Sequence, residues 1–261
     1  MNEENLSFLQ EQVMYAGFGD TLDNALKEKI AQQPETFTLE YQTEYGKDKV
    51  KAELHFSQSN KEEYSDMYFF NSYKVKLERE GQPDMEQQFY INKGGSITLK
   101  EAYNLMCGRS VHKNLWNKNG ELYNTWLQMD FKQTNDKGNY GLKYFNENYG
   151  YDLDAALQKY PLKELENETY KGNLVESLKK GNPASATLVK EGMEDQKVYV
   201  VANPKFKSVT LYDSNMQRLG RRRREKQNTE QKQSKKESQS QNGEENSPSA
   251  KKKTRRKARA V

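Results

Sequence analysis

The stretch from Ile97 to Phe131 constrains the fold more than any other part of the chain. Thr98 and Glu101 have the Ser/Thr-x-x-Glu spacing of a capping box, in which each side chain bonds the other residue's backbone amide at a helix start. Gly108 stands where a helix commonly ends in a left-handed residue. Two alternating segments then flank Asn119-Gly120, a dipeptide typical of tight hairpins. The sequence predicts a short helix followed by a β-hairpin.

The same order of elements recurs before and after that stretch. Residues 21–79, 97–145 and 172–213 each read as a helix, then two strands, then a strand with a lysine near an aromatic residue. Such self-similarity is typical of duplicated units, although ordinary α+β proteins also alternate elements in this way. The predicted fold is α+β, with antiparallel sheets and helices on one face. Two or three divergent helix–hairpin units are one way of building it.

Charge and apolar content divide the chain into segments. The chain has 42 Lys and Arg and 38 Asp and Glu. Residues 218–261 contain 16 of the basic and 5 of the acidic residues, so this segment carries a net charge of +11. Residues 1–217 carry the remaining −7. From Gly220 to Ala250 there is no large apolar side chain, so nothing offsets the entropy of ordering. We expect an N-terminal α+β domain at 1–147, a smaller α+β domain at 148–217 and a disordered basic tail at 218–261.

Several classes of protein are disfavoured by what the sequence lacks. Cys107 is the only cysteine, which excludes an internal disulfide and argues against a structural zinc site. The N-terminus MNEENLSFLQEQ lacks the basic-then-apolar pattern of a secretion signal. No apolar run approaches the roughly 20 residues that span a bilayer. We expect a cytoplasmic protein without membrane contact.

Residues able to perform acid–base, nucleophilic or metal chemistry are few and scattered. His55 and His112 have no neighbouring ligand at metal spacing. Cys107, at a predicted helix end, suits a small buried side chain better than a reactive thiol. Asp152 and Asp154 are explained by capping of a predicted helix. Because the common catalytic and phosphate-binding motifs are also lacking, we expect no enzymatic activity, no cofactor and no metal.

Long passages of the chain are similar to one group of proteins. The strings MYFFNSY, FYINKGGSITLKEAYNL, GELYNTWLQMDF and ANPKFKSVTLYDSNM resemble hypothetical Bacteroidetes proteins that contain domains of unknown function. Those proteins are often linked to conjugative or other mobile elements and tend to end in a Lys/Gln/Ser-rich tail. The resemblance implies a bacterial cytoplasmic setting and work associated with DNA. It implies no particular site residues.

The C-terminal segment contains two basic clusters separated by a polar spacer. The clusters comprise Arg221, Arg222, Arg223, Arg224, Lys251, Lys252, Lys253, Arg255, Arg256, Lys257 and Arg259. Lysine and arginine clusters neutralise phosphates and release counterions, which gives salt-sensitive binding to DNA or RNA without sequence preference. The alternatives are a solubilising tail, a tail for an acidic partner, and contact with the acidic body.

Aromatic residues on predicted strands are the other candidate surface. Tyr73, Tyr123, Trp126 and Tyr144 alternate with lysines and could stack on single-stranded nucleic acid, but strand aromatics usually pack in a core. Trp126 faces away from the stripe that contains Tyr123. If Trp126 is buried under a helix, the body has two packed layers; if it is exposed, Trp126 with Tyr123 is the first candidate for a binding surface.

These observations favour a non-enzymatic accessory protein. Its body would bind an as yet unknown protein partner, and its tail would hold nucleic acid non-specifically. The alternative is a pure protein-interaction module with a solubilising or acidic-partner-binding tail.

Overall fold

The computed structural model describes residues 2–92, 95–189, 192 and 194–219. Met1–Arg218 forms one compact unit. Within the described residues the α-helices are α1 Glu3–Val13, α2 Asp23–Ala31, α3 Leu99–Met106, α4 Leu153–Leu157 and α5 Glu168–Lys179. A π-helical segment, Met14–Phe18, continues α1. None of the helices in the described ranges is both long enough and apolar enough to cross a membrane.

Antiparallel strands make up three sheets in the described part of the chain. The strands are β1 Thr36–Tyr45, β2 Asp48–Gln58, β3 Tyr68–Glu78, β4 Met85–Tyr90, β5 Ser110–Trp116, β6 Leu122–Thr134, β7 Tyr140–Asn146, β8 Ala184–Leu188, β9 Gln196–Asn203 and β10 Ser208–Tyr212. The sheet orders are β1-β2-β3-β4, β5-β6-β7 and β10-β9-β8, so neighbours in sequence are neighbours in space.

A helix precedes each of these three meanders. The chain runs α2 then β1 to β4, α3 then β5 to β7, and α5 then β8 to β10. The predicted α+β class with antiparallel sheets is confirmed, and the predicted order of a helix followed by three strands occurs three times. The division of the folded part near residue 147, and the origin of the three units by duplication, stay predictions.

Helix α3 forms as its sequence predicts. The Thr98 hydroxyl accepts a hydrogen bond from the Glu101 amide at 3.4 Å, and the Glu101 carboxylate accepts one from the Thr98 amide at 2.9 Å. Gly108 takes a φ of +78° and donates its amide to the Leu105 carbonyl, which ends the helix. The Asn119-Gly120 turn then joins β5 to β6 in register, with Trp116 opposite Leu122.

The first layer of the body is the four-stranded sheet with α1, α2 and α3 on one face. Along β2 the side chains of Val50, Ala52, Leu54 and Phe56 are buried and alternate with polar ones. Phe18 lies under this face and meets the ring of Tyr73 edge-on at 5.2 Å. The opposite face is charged, with Lys51, Lys74, Lys76 and Glu86 among its residues.

The second sheet, β5–β7, has buried side chains on both of its faces. Val111, Leu127 and Met129 join the core beneath the first sheet. Trp126 points to the other side, where α5 contacts β5.

All buried apolar side chains of the described chain lie between Leu6 and Leu211. Removing residues 220–261 therefore removes none of these core side chains.

Candidate functional site

A surface cleft lies between α1 with its π-helical extension and the residues Ile91, Asn92, Gly95, Ser96 and Thr98. Its volume is about 310 Å³. The residues that line it are Phe8, Glu11, Gln12, Tyr15, Ala16, Ile91, Asn92, Gly95, Ser96 and Thr98. Its walls combine aromatic rings with short polar groups, a composition that suits the capture of an apolar side chain.

Two exposed aromatic rings flank this cleft. Phe8 is 60% exposed and Tyr15 is 73% exposed, while Leu9 and Val13 of the same helix are buried in the core. Phe8 and Tyr15 are seven residues apart, so on a regular helix they lie about two turns apart along one face. Adjacent large aromatic groups in water are a feature of surfaces that bind another molecule.

The π-helical segment places Tyr15 at the cleft. The segment ends in a kink at Gly17, whose φ of +95° is accessible to glycine and strained for other residues. The kink brings Phe18 into the core and leaves Tyr15 in solvent. Short π-helical turns inside helices often occur at functional sites. A side chain on Gly17 would also approach the Leu99 backbone nitrogen at 3.4 Å, so α1 and α3 are tightly apposed here.

The cleft lies on an acidic helix. Helix α1 contains Glu3, Glu4 and Glu11 and has neither lysine nor arginine. Glu11 lines the cleft itself. A partner that presents an apolar side chain beside basic residues would complement this surface in both shape and charge.

Trp126 is buried in the structure. The indole is only 6% exposed, because Tyr151 covers it edge-on at 5.3 Å and His112 packs against it at 5.2 Å. The ring is therefore buried, and the rings that contact it belong to strand β5 and to the segment before α4. Tyr123, the other surface candidate, is half-buried on β6.

The proposed stacking platform is not assembled. Tyr73 is fully buried under α1 and α3, whereas Tyr144 is exposed on the β5–β7 sheet. The core reading of Tyr73 and Trp126 is therefore the correct one.

The basic clusters Arg221–Arg224 and Lys251–Arg259 lie outside the described residues.

The titratable candidates do not come together. His55 sits on β2 with its Nε2 3.2 Å from a Glu53 carboxylate oxygen, whereas His112 sits on β5. Burial, followed by the Lys179 charge, lowers the pKa of His112. Burial outweighs the nearby Arg109 and raises the pKa of the Cys107 thiol, which therefore remains protonated near neutral pH. Among the described residues, no group of three or more His, Cys, Asp or Glu could hold a metal ion.

The predicted capping role of Asp152 is confirmed. Its carboxylate accepts a hydrogen bond from the Ala155 amide at 3.0 Å at the start of α4. Sequence reasoning overlooked Phe8 and Tyr15. The signal that could have found them is a pair of aromatic residues seven positions apart on the otherwise polar face of an amphipathic helix.

Comparison of the chain with family models, with curated proteins and with solved structures finds no match.

Proposed function

We propose that this is a non-enzymatic accessory protein whose folded body binds a partner protein and whose C-terminal segment binds nucleic acid without sequence preference. The observation that carries the proposal is the division of charge, −7 on residues 1–217 and +11 on residues 218–261. Basic clusters on such a segment can contact phosphates over a range of relative positions. An acidic body is repelled by the same phosphates and stays available for another partner.

The cleft beside α1 supports the protein-binding half of the proposal. Phe8 and Tyr15 supply apolar contact area, and Glu11 supplies charge. The partner is a protein segment with an apolar anchor flanked by basic residues. The setting is the bacterial cytoplasm, and the resemblance to proteins of mobile elements favours DNA as the nucleic acid.

A pure protein-interaction module is the second candidate. The cleft alone favours it, because a basic tail can also keep a protein in solution or contact an acidic partner. Deleting residues 220–261 separates the two candidates. The first predicts the loss of nucleic-acid binding in a mobility-shift titration, and the second predicts no binding by the full chain even at low salt.

The protein-binding half has its own experiment. Phe8→Ser and Tyr15→Ser change exposed side chains and should leave the melting temperature nearly unchanged. A tagged full-length protein, expressed in its native cell and treated with nuclease, should lose a specific captured protein on either substitution. Tyr170→Ser is the matched control, because Tyr170 is 62% exposed on α5, outside the cleft. Equal capture by all three variants would remove the cleft from the proposal.

A further inference from the structure

Two cationic side chains pack on a pair of tyrosine rings where the β1–β2 turn meets α3. The ammonium nitrogen of Lys100 is 3.7 Å from the ring centre of Tyr45 and 4.8 Å from that of Tyr103. The guanidinium carbon of Arg109 is 4.9 Å from the ring centre of Tyr103. The two rings are themselves 4.7 Å apart. Both positive charges therefore lie against the same ring.

The scaffold holds the Arg109 guanidinium in one orientation. Its Nε and Nη2 donate to the side-chain oxygen of Asn104 at 3.0 and 2.7 Å. Asn104 is fully buried and donates in turn to the Lys180 carbonyl at 2.7 Å and to the Asn182 side chain at 2.9 Å. This chain of bonds ties Arg109 to the end of α5 and leaves its Nη1 donors directed away from Asn104. A donor group held in this way loses little freedom when it binds a ligand.

Neither cation is neutralised by a carboxylate. Within the described residues, the Asp and Glu oxygens that lie within 4.0 Å of a basic nitrogen pair with other side chains and not with Lys100 or Arg109. The carboxylate nearby, Asp48, accepts a hydrogen bond from the Tyr103 hydroxyl at 2.9 Å. Lys113, which is also largely buried, shows the usual solution, since it pairs with Glu101 at 2.9 Å.

Two half-buried cations packed against the same Tyr103 ring are unfavourable without an anion. Burial, and then the charge of Arg109, lowers the pKa of Lys100, so Lys100 responds to its neighbour. The tyrosine faces attract both cations but provide no strong acceptor for their N–H groups. Residues 1–217 carry a net −7, so the lack of an ion pair with Lys100 or Arg109 is not a matter of composition.

We propose that Lys100 and Arg109 form a binding site for a phosphate dianion, either inorganic phosphate or the terminal phosphate of a small monoester. Three features of the pair of cations suit a phosphate dianion. A phosphate near pH 7 carries a charge of about −1.5 to −2, which balances two cations, whereas a carboxylate or a phosphodiester carries −1. Its several oxygens can accept from Arg109 Nη1 and from the Lys100 ammonium together. Each of the two cations is held within 5 Å of the centre of the Tyr103 ring.

The test is the thermal unfolding of the full chain in phosphate and in chloride at equal ionic strength and pH 7.5. A ligand shifts the midpoint only through binding the folded state better than the unfolded state, so phosphate held by the basic segment contributes little. At ten times Kd the expected rise is about 3–6 °C in phosphate relative to chloride. Equal midpoints in the two salts would overturn the site.

Three variants test whether the rise of the midpoint in phosphate depends on Lys100 and Arg109. Lys100→Met keeps an alkyl stem against Tyr45 and removes the charge, and Arg109→Gln removes the guanidinium; each should abolish the rise caused by phosphate. Lys29→Gln, at an exposed position on α2, should retain the rise. The quantity compared is the shift within each variant, so a change in intrinsic stability does not affect the result. A shift that persists in both site variants would contradict the assignment.

Further ligands distinguish the sources of phosphate. A nucleoside monophosphate should reproduce the shift if the site accepts monoesters, and inorganic phosphate alone should do so if it does not. A single-stranded oligonucleotide without terminal phosphates should leave the midpoint of the 1–219 protein unchanged. If that oligonucleotide raises the unfolding midpoint and phosphate does not, the proposal is overturned. The two cations would then contact the phosphodiester backbone of a nucleic acid. The thermal midpoint reports on the folded body and not on the basic segment. Failure of the phosphate site is therefore distinguishable from failure of nucleic-acid binding by the tail.

Discussion

Trp126 and Tyr151 meet edge-on, with ring centres 5.3 Å apart and ring planes inclined at 69°. Trp126 lies in the middle of β6, and Tyr151 precedes α4, so this contact joins the second sheet to the C-terminal elements. The hydroxyl of Tyr151 donates to the Ser208 carbonyl at 3.1 Å, which extends the link to β10. The contact buries the part of the β5–β7 sheet around Trp126.

Replacing Trp126 should be costly for stability. Trp126→Ala removes a large buried ring and leaves a cavity, so we expect a loss of about 3–5 kcal/mol in the free energy of unfolding. Trp116→Ala is the control, since Trp116 is 54% exposed at the end of β5 and its loss should change stability by about 0.5 kcal/mol or less. Urea unfolding followed by circular dichroism measures both. Equal effects would mean that the indole of Trp126 is not buried.

Gly181 should tolerate no side chain. Its φ is +79°, and a Cβ there would lie 2.9 Å from both the Ser110 carbonyl oxygen and a Val111 methyl group. Gly120 has a similar φ of +75° but open space around it, so Gly120→Ala measures the backbone cost alone, about 1–2 kcal/mol. We expect Gly181→Ala to cost about 1–3 kcal/mol more than that. Indistinguishable unfolding midpoints would argue against the close approach of α5 to β5.

The ion pair between Lys113 and Glu101 should be sensitive to loss of one partner. Only 15% of the Lys113 side chain and 11% of the Glu101 side chain are exposed. Lys113→Met leaves a largely buried carboxylate unpaired, and we expect a loss of about 3–5 kcal/mol. The double variant Lys113→Met/Glu101→Gln removes both charges and keeps a polar group near the Thr98 amide, so it should recover part of the loss. If the double variant recovers no stability, loss of the ion pair is not the cause of the destabilisation by Lys113→Met.

Stability should fall on the acid side partly because of His112. Burial lowers the pKa of His112 below its ordinary value of about 6.5, so the unfolded chain binds a proton more readily than the folded one. Stability is therefore lost as the pH falls through 6.5 towards the folded-state pKa. In urea titrations between pH 7.5 and 5.5, His112→Gln should lose less stability than the parent protein. An identical dependence on pH would exclude this role for His112.

Local signals predicted much of the fold. The capping box at Thr98, the stop at Gly108 and the Asn119-Gly120 turn each act within a few residues, so the chain specifies them directly. The thrice-repeated order of a helix and three strands follows from periodicity alone. The side of the sheet that Trp126 faces could also be predicted from alternation.

Long-range contacts could not be predicted in this way. Whether Trp126 is covered depends on Tyr151, which lies 25 positions further along the chain, beyond the end of β7. The approach of Lys100 to Tyr45 likewise joins residues 55 positions apart. Phe8 could be placed on the outer face of α1, but the cleft beside it also needs Ile91, which follows β4 more than 80 positions later.

The most direct test of the central claim is a mobility-shift titration of the full chain and of the 1–219 protein with DNA and RNA of unrelated sequence. We expect the full chain to bind both, with an affinity that falls steeply as salt rises from 50 to 200 mM, and the 1–219 protein to lose nearly all binding. Substituting glutamine for the basic residues of one cluster, Arg221–Arg224 or Lys251–Arg259, should give a shallower salt dependence. Equal affinity of the full chain and the 1–219 protein, or no binding by the full chain at low salt, would contradict the account.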